Sequence, residues 1–109
     1  MASSSPPRVL PYYAVIFTSK RRDDKGYEAT AQEMYVLATR QPGYLGLDGI
    51  GNGQSGISIS YWQSLEDIRA WKQSLAHIRA QQQGQDKWYE EYQVHICKVE
   101  RSYGFSAKL

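Results

Sequence analysis

Several things are scarce in this chain. Among its 109 residues there is one cysteine, Cys97, and there are only two histidines, His77 and His95. A single cysteine forbids an intrachain disulfide, so the fold does not depend on an oxidising compartment. Cys97 lies in an apolar stretch and reads as a packing residue. No cluster of Cys and His has the spacing of a metal site. The formal net charge is only +2, too weak a bias to imply nucleic acid or an anionic membrane. The run Lys20-Arg21-Arg22 is offset by Asp23 and Asp24 and reads as a solvated loop. No apolar run approaches the roughly 18 residues of a membrane span. The opening Met-Ala-Ser-Ser-Ser-Pro-Pro has neither the charged nor the apolar region of a signal peptide. These absences point to a cytoplasmic protein with no nucleic-acid or membrane partner. Also missing are a P-loop, a G-x-S-x-G elbow, and a G-x-G-x-x-G that opens a helix. Gly49-x-Gly51-x-Gly53 falls in a hairpin and cannot cradle a phosphate at a helix start.

What the chain does have is aromatic residues: nine tyrosines, three tryptophans and two phenylalanines. Such side chains bury large areas, and Tyr and Trp add a polar tip. They can fill a small core or line a pocket for a flat organic ligand.

The pattern divides the chain into a tail over residues 1–11, expected to be disordered, one domain over 12–105 and a short tail over 106–109. The length fits a single domain. Tyr12 to Thr18 is continuous in aromatic and β-branched residues, as expected of a strand covered on both faces. From Tyr27 the period becomes helical, with Tyr27, Ala31, Met34, Leu37 and Ala38 on one face. Gln41-Pro42-Gly43 stops this helix. Tyr44 to Ile50 reads as a second strand, in which Gly46 and Gly49 mark a bulge or a close approach. A glycine-rich turn over 51–56 leads to a third strand, Ile57 to Trp62. There Ile57, Ile59 and Tyr61 share one face, and Ser58, Ser60 and Trp62 the other. Ser64-Leu65-Glu66-Asp67 has the form of a helix start. Leu65, Ile68, Trp71 or Lys72, and Leu75 mark a helix that runs through Gln81 and ends by Gly84. Trp88, Tyr89 and Tyr92 lead into a last strand, about Gln93 to Tyr103.

Strand–helix–strand–strand–helix–strand is the ferredoxin-like βαββαβ order of an α+β fold, an antiparallel four-stranded sheet with both helices on one face. The other face then needs cover. A small chain gains from association, so a homodimer packed sheet to sheet is expected.

Gln41-Pro42-Gly43-Tyr44-Leu45-Gly46, Ser60-Tyr61-Trp62-Gln63-Ser64-Leu65-Glu66, and Ala70-Trp71-Lys72 through Ala76-His77 resemble the antibiotic-biosynthesis-monooxygenase family. So do the first strand and Trp88-Tyr89. The resemblance spans about Tyr12 to Phe105. It implies a dimeric α/β barrel with a pocket between sheet and helices in each subunit. It also implies either cofactor-independent oxygenation of polyphenolic substrates or oxidative opening of haem. The haem-opening branch has an axial histidine late in the second helical region, an upstream tryptophan and an asparagine on the first strand. Trp71 matches the tryptophan. The same alignment places Gln81, not His77, at the axial position, and an amide is a poor haem-iron ligand beside imidazole. The first strand holds no asparagine.

The leading expectation is therefore a monooxygenase of a small electron-rich aromatic that needs no cofactor or metal. His77 would serve as base with Trp71 beside it, and Tyr13, Phe17, Tyr61 and Trp62 would line the substrate pocket. Each of these aromatics has a plainer reading as core packing, and His77 as a histidine bonded near a helix end. Arg101 reads as a surface or inter-subunit charge, and His95 as structural or interfacial. Haem binding through Trp71 and His77, and a non-catalytic dimer that binds a small ligand, stand as alternatives.

Overall fold

Tyr12 opens the first strand, and the run of large and β-branched residues behind it keeps the backbone extended. The computed structural model describes residues 8–21, 27–52, 54–82 and 89–107, the side chains of 27–30 and 76–82 excepted. The elements are β1 (Tyr12–Arg21), α1 (Tyr27–Thr39), β2 (Tyr44–Gly51), β3 (Ser55–Trp62), α2 (Leu65–Gln82) and β4 (Tyr89–Val99). The sheet order is β2-β3-β1-β4, with every neighbouring pair antiparallel. This is the expected ferredoxin-like βαββαβ arrangement. β1 is central, consistent with its apolar character on both sides.

Strand bounds differ from expectation most at β1 and β4, while β3 begins at Ser55 rather than Ile57. β1 continues through Lys20 and Arg21, which the charge run assigned to a loop. These residues pair with Glu91 and Tyr89 across a register shift. β4 accordingly begins at Tyr89 rather than Gln93, and it ends at Val99 rather than Tyr103. Trp88 lies outside the described residues. Long-range pairing, not local composition, sets both ends.

Helix α1 stops where Gln41-Pro42-Gly43 demands. Its Ala31, Met34 and Leu37 are half-buried and Ala38 is buried, whereas Gln32, Glu33, Thr39 and Arg40 are exposed. Gly43 has φ +80°, which an L side chain adopts only at a cost. A Cβ there would also overlap the carboxylate of Asp67. That carboxylate belongs to the start of α2. Ser64 Oγ accepts from the Asp67 backbone N–H at 3.1 Å and donates to Asp67 Oδ2 at 2.8 Å, capping the helix as its sequence predicts. The turn after α1 and the start of α2 are thus packed together, and Gln63 N–H donates to Gly43 C=O at 2.8 Å.

The register sorts side chains between two faces. Trp62 meets Trp71 of α2, so its face is the helix face. Tyr13, Val15, Phe17 and Ser19 share it, opposite Trp62, Ser60, Ser58 and Gly56. The open face carries Tyr12, Ala14, Ile16 and Thr18, opposite Tyr61, Ile59 and Ile57. Asp48 and Ile50 extend it on β2, and His95 and Cys97 on β4. Cys97 is exposed in the single chain, and Ile50 is 78% exposed. Residues 8–11, assigned by composition to the tail, are described. Here Arg8 lies over the rings of Tyr61 and Tyr12, 4.3 and 5.4 Å from their centroids, and donates to Leu45 C=O at 3.2 Å. The bulge expected near Gly46 is present, between Tyr44 and Gly46. Its φ of +152° presents bare backbone to Arg8, whose Nη2 would lie 2.7 Å from any Cβ.

Candidate functional site

The helix face has a solid half and a hollow half. In the solid half, Trp62 is fully buried. It stacks on Trp71 with centroids 6.1 Å apart and meets Tyr44 edge-on at 5.7 Å. Its indole N–H donates to Ser60 Oγ at 2.9 Å, so the polar atom that burial would strand is satisfied. Ile68 of α2 is also buried.

The hollow half lies under α1. Its strand positions carry almost no side-chain bulk: Gly49 and Gly51 on β2, Gly56 and Ser58 on β3, Ser19 on β1. Above them, Ala31, Gln32 and Tyr35 of α1 roof an open-mouthed cavity of about 780 Å³, which Phe17, Arg21, Leu47 and Asn52 help to line. That is within the range of small-molecule sites. Phe17 stacks on Tyr92 at 5.4 Å and meets Tyr89 edge-on at 5.6 Å, a three-ring cluster of which Phe17 is the member that lines the cavity.

The residues expected to line one pocket are therefore sorted. Phe17 lines the cavity. Tyr13 shares its face four residues along β1, about 13 Å away at the usual strand rise. Trp62 and Trp71 form the packed half. Tyr61 projects from the opposite face, where its hydroxyl donates to Asp48 Oδ2 at 3.0 Å. His77 lies on α2 with its side chain outside the described residues, as does that of Gln81. Among the described side chains, no imidazole reaches the cavity; His95 is on the open face.

Tyr35 is a functional candidate that sequence reasoning missed. The alternation of Ser58 and Ser60 with isoleucines was the available signal, because it placed small hydroxyls beside Trp62 on one face. Tyr35 also touches the solid half. The Tyr44 hydroxyl is pushed above its ordinary value first by burial and then by its hydrogen-bonded neighbour Tyr35. The Tyr61 hydroxyl is raised by burial and then by Asp48. Both phenols stay protonated at neutral pH, and Tyr61 donates to Asp48. Among the described residues, no group of three or more His, Cys, Asp or Glu is placed to hold a metal ion. No described helix is long and apolar enough to cross a membrane.

Over 93 residues, covering 84% of this chain and 82% of the relative, the sequence is 44% identical to the uncharacterized protein YqjZ of Bacillus subtilis. The chain belongs to the YqjZ family. No family model matches it. Solved structures extend the likeness of this YqjZ relative at the level of the fold. SnoaB of Streptomyces nogalater, a cofactor-independent oxygenase, superposes with a TM-score of 0.67 at 12% identity, covering 84% of this chain and 96% of SnoaB. PA3566 of Pseudomonas aeruginosa gives 0.67 at 13% identity, covering 89% and 100%. A Nitrosomonas europaea protein provisionally named an antibiotic biosynthesis monooxygenase gives 0.64 at 15% identity, covering 85% and 93%. The fold of this YqjZ relative is that of the antibiotic-biosynthesis-monooxygenase family.

Proposed function

We propose that the chain is a cofactor-independent monooxygenase of a small, electron-rich aromatic, bound in the hollow half of the helix face. The carrying observation is the cavity itself. It is bare of bulk on its floor, walled by Phe17 and Tyr35, and sized for a ring system of a few fused rings. The shared fold with SnoaB, itself a cofactor-independent oxygenase, supports the reading.

In such a reaction the substrate supplies the electrons. An enolisable ring methylene becomes a carbonyl, one oxygen atom of dioxygen enters the product, and the other leaves as water with the two hydrogens. No external reductant is needed. The protein contributes orientation, exclusion of water and removal of a proton to give the electron-rich anion. Phe17 and Tyr35 would orient the ring, and the Tyr35 and Ser58 hydroxyls would direct its oxygens. His77, on α2, is the proposed base. No haem step is invoked, since the family resemblance places Gln81 rather than a histidine at the axial position, and an amide is a poor haem-iron ligand.

The working form is a homodimer. Ile16, Ile50, Ile57 and Ile59 share the open face, and no described element of the chain covers it. A second copy packed on this sheet would bury it as two sheet faces do in a sandwich. Light scattering at micromolar concentration should give twice the chain mass; a monomer would refute this part.

Dioxygen uptake tests the activity. Purified protein with a panel of anthrones should consume one dioxygen per quinone formed, without added metal, flavin or reductant. No uptake above the buffer rate across the panel would sink the oxygenase reading.

A further inference from the structure

Three hydroxyl side chains line the cavity, Ser19 and Ser58 from the sheet and Tyr35 from α1. Tyr35 differs from the serines in having a second phenol behind it. Its hydroxyl is hydrogen-bonded to that of Tyr44, which stands in the packed half, edge-on to Trp62 at 5.7 Å. A phenol has one hydrogen to give and lone pairs to receive. One hydrogen of the pair therefore closes the bond between them, and the other is left for a third group. Tyr44 is pushed above its ordinary value first by burial and then by Tyr35, the bond between them included. A bond accepted by Tyr44 would favour its ionised form and lower that value, so Tyr44 is the donor and Tyr35 the acceptor. The remaining hydrogen is that of Tyr35, at the cavity. Tyr35 is 42% exposed in the single chain, so a ligand entering the open mouth meets it.

A hydroxyl that already accepts a hydrogen bond donates more strongly, because bonds in a chain polarise one another. A donor fixed before the ligand arrives stabilises negative charge that develops on a ligand oxygen. In the reaction proposed above, removal of the ring proton puts that charge on an oxygen of the ring system. We propose that Tyr35 is the hydrogen-bond donor to this oxyanion, and that Tyr44 is a positioning residue that acts through Tyr35 by occupying its oxygen. The site then holds its aromatic ligand as a phenolate or enolate in preference to the neutral form. Tyr35 keeps its own proton throughout, and the proton taken from the substrate goes to the base. The inference rests on the reading of this cavity as the substrate site and names the charge state in which the substrate is held.

The test uses 4-nitro-1-naphthol, whose phenolate and neutral phenol differ in visible absorbance, titrated with the full chain across a range of pH. Wild type should bind the phenolate about ten-fold or more tightly than the phenol, as hydrogen bonds to a charged group allow. Tyr35→Phe should bind the two forms equally and keep its hold on the neutral ring. Tyr44→Phe should leave the affinity for the neutral phenol unchanged and lose part of the preference. Thermal unfolding of each variant checks that it folds. Equal binding of the two forms by wild type would overturn the proposal, as would a phenolate preference that survives in Tyr35→Phe. A Tyr44→Phe variant changed in Tm alone would refute the part given to Tyr44. If neither form binds wild type, the cavity is no aromatic site and the proposal fails with it. Dioxygen uptake with anthrones but no phenolate preference would leave the oxygenase standing and remove the donor alone. A preference that depends on Tyr35, without uptake, would leave the donor and remove the oxygenase.

Discussion

Replacing Gly49 tests whether the hollow half is a ligand site. Gly49 lies on β2 opposite Ser58, on the cavity floor. Among the described glycines the positive-φ positions are Gly43 and Gly46, so Gly49 has a backbone that any residue can adopt. A Cβ added there would meet Ile57 C=O at 3.6 Å and Ser58 Cβ at 4.0 Å, ordinary contacts that require no movement. Glycine inside a strand costs about 0.5–1 kcal/mol against alanine. Gly49→Ala should therefore stabilise the chain by that amount and raise Tm by roughly 2–8 °C. Gly49→Leu should match or exceed it, because each further methylene that leaves water contributes up to about 0.8 kcal/mol. The leucine would occupy the space where the ligand's ring is placed. Thermal unfolding paired with calorimetric titration of 4-nitro-1-naphthol reads both effects. The expected result is a leucine variant more stable than wild type with affinity lowered by about ten-fold or more (an RT ln 10 loss, about 1.4 kcal/mol). A destabilised leucine variant would show that the floor is already packed. Wild-type affinity in a stabilised variant would place the ligand elsewhere.

Gly43→Ala should destabilise by more than the roughly 1–2 kcal/mol of a left-handed backbone, because its Cβ overlaps Asp67; unchanged Tm would refute the packing of the turn after α1 against the start of α2. Ser64→Ala removes the cap and should cost about 1 kcal/mol, read by urea unfolding, while Ser64→Asp should restore most of it. Alkaline difference absorbance should show Tyr44 and Tyr61 ionising above the ordinary 10.0, and Asp48→Asn should lower the Tyr61 midpoint. Since folding raises both values, their contribution to stability is whole below pH 10 and falls as pH climbs through the raised values; a Tyr61 midpoint unmoved in Asp48→Asn would contradict the bond. Cys97 is exposed on the open face of the single chain, so a sheet-to-sheet dimer should shield it: Ellman's reagent should react slowly with native protein and fast in denaturant, whereas fast native reaction would refute that interface.

The element order was legible because each boundary carries a local device. The change of period at Tyr27, the Gln41-Pro42-Gly43 stop and the Ser64 cap all act within a few residues of themselves. The ends of β1 and β4 were not legible. Lys20 and Arg21 read as a solvated charge run until Glu91 and Tyr89 are brought opposite them, and no local pattern announces that pairing. For the site, alternation along Ile57 to Trp62 already put Tyr61 and Trp62 on different faces, which bars them from sharing a pocket on the helix side. What alternation cannot say is which aromatics pack solid. Trp62 and Trp71 look like pocket walls by type, yet their stacking at 6.1 Å makes them core. Tyr35, which is 42% exposed, carried no sequence signal of its own, because the space beneath it is made by residues with little or no side chain to read.

The glycines of the β2–β3 hairpin separate structural need from functional space. At Gly51 a Cβ would lie 2.6 Å from Ser55 C=O and 2.9 Å from Gly56 Cα, so the tightness of the turn demands glycine there. At Gly56 the neighbour is Arg21 at 3.4 Å, so the bare backbone serves the placement of that guanidinium. Gly49 has no such constraint, and its absent side chain opens onto the cavity alone. In a chain whose folding free energy is on the order of 5–15 kcal/mol, a paired-strand glycine with no steric reason gives up a noticeable share. A dimer that served only to cover its open sheet face would gain by filling that position. Gly49 therefore favours a ligand in the hollow half over a purely structural assembly, and it does so independently of any likeness to other proteins.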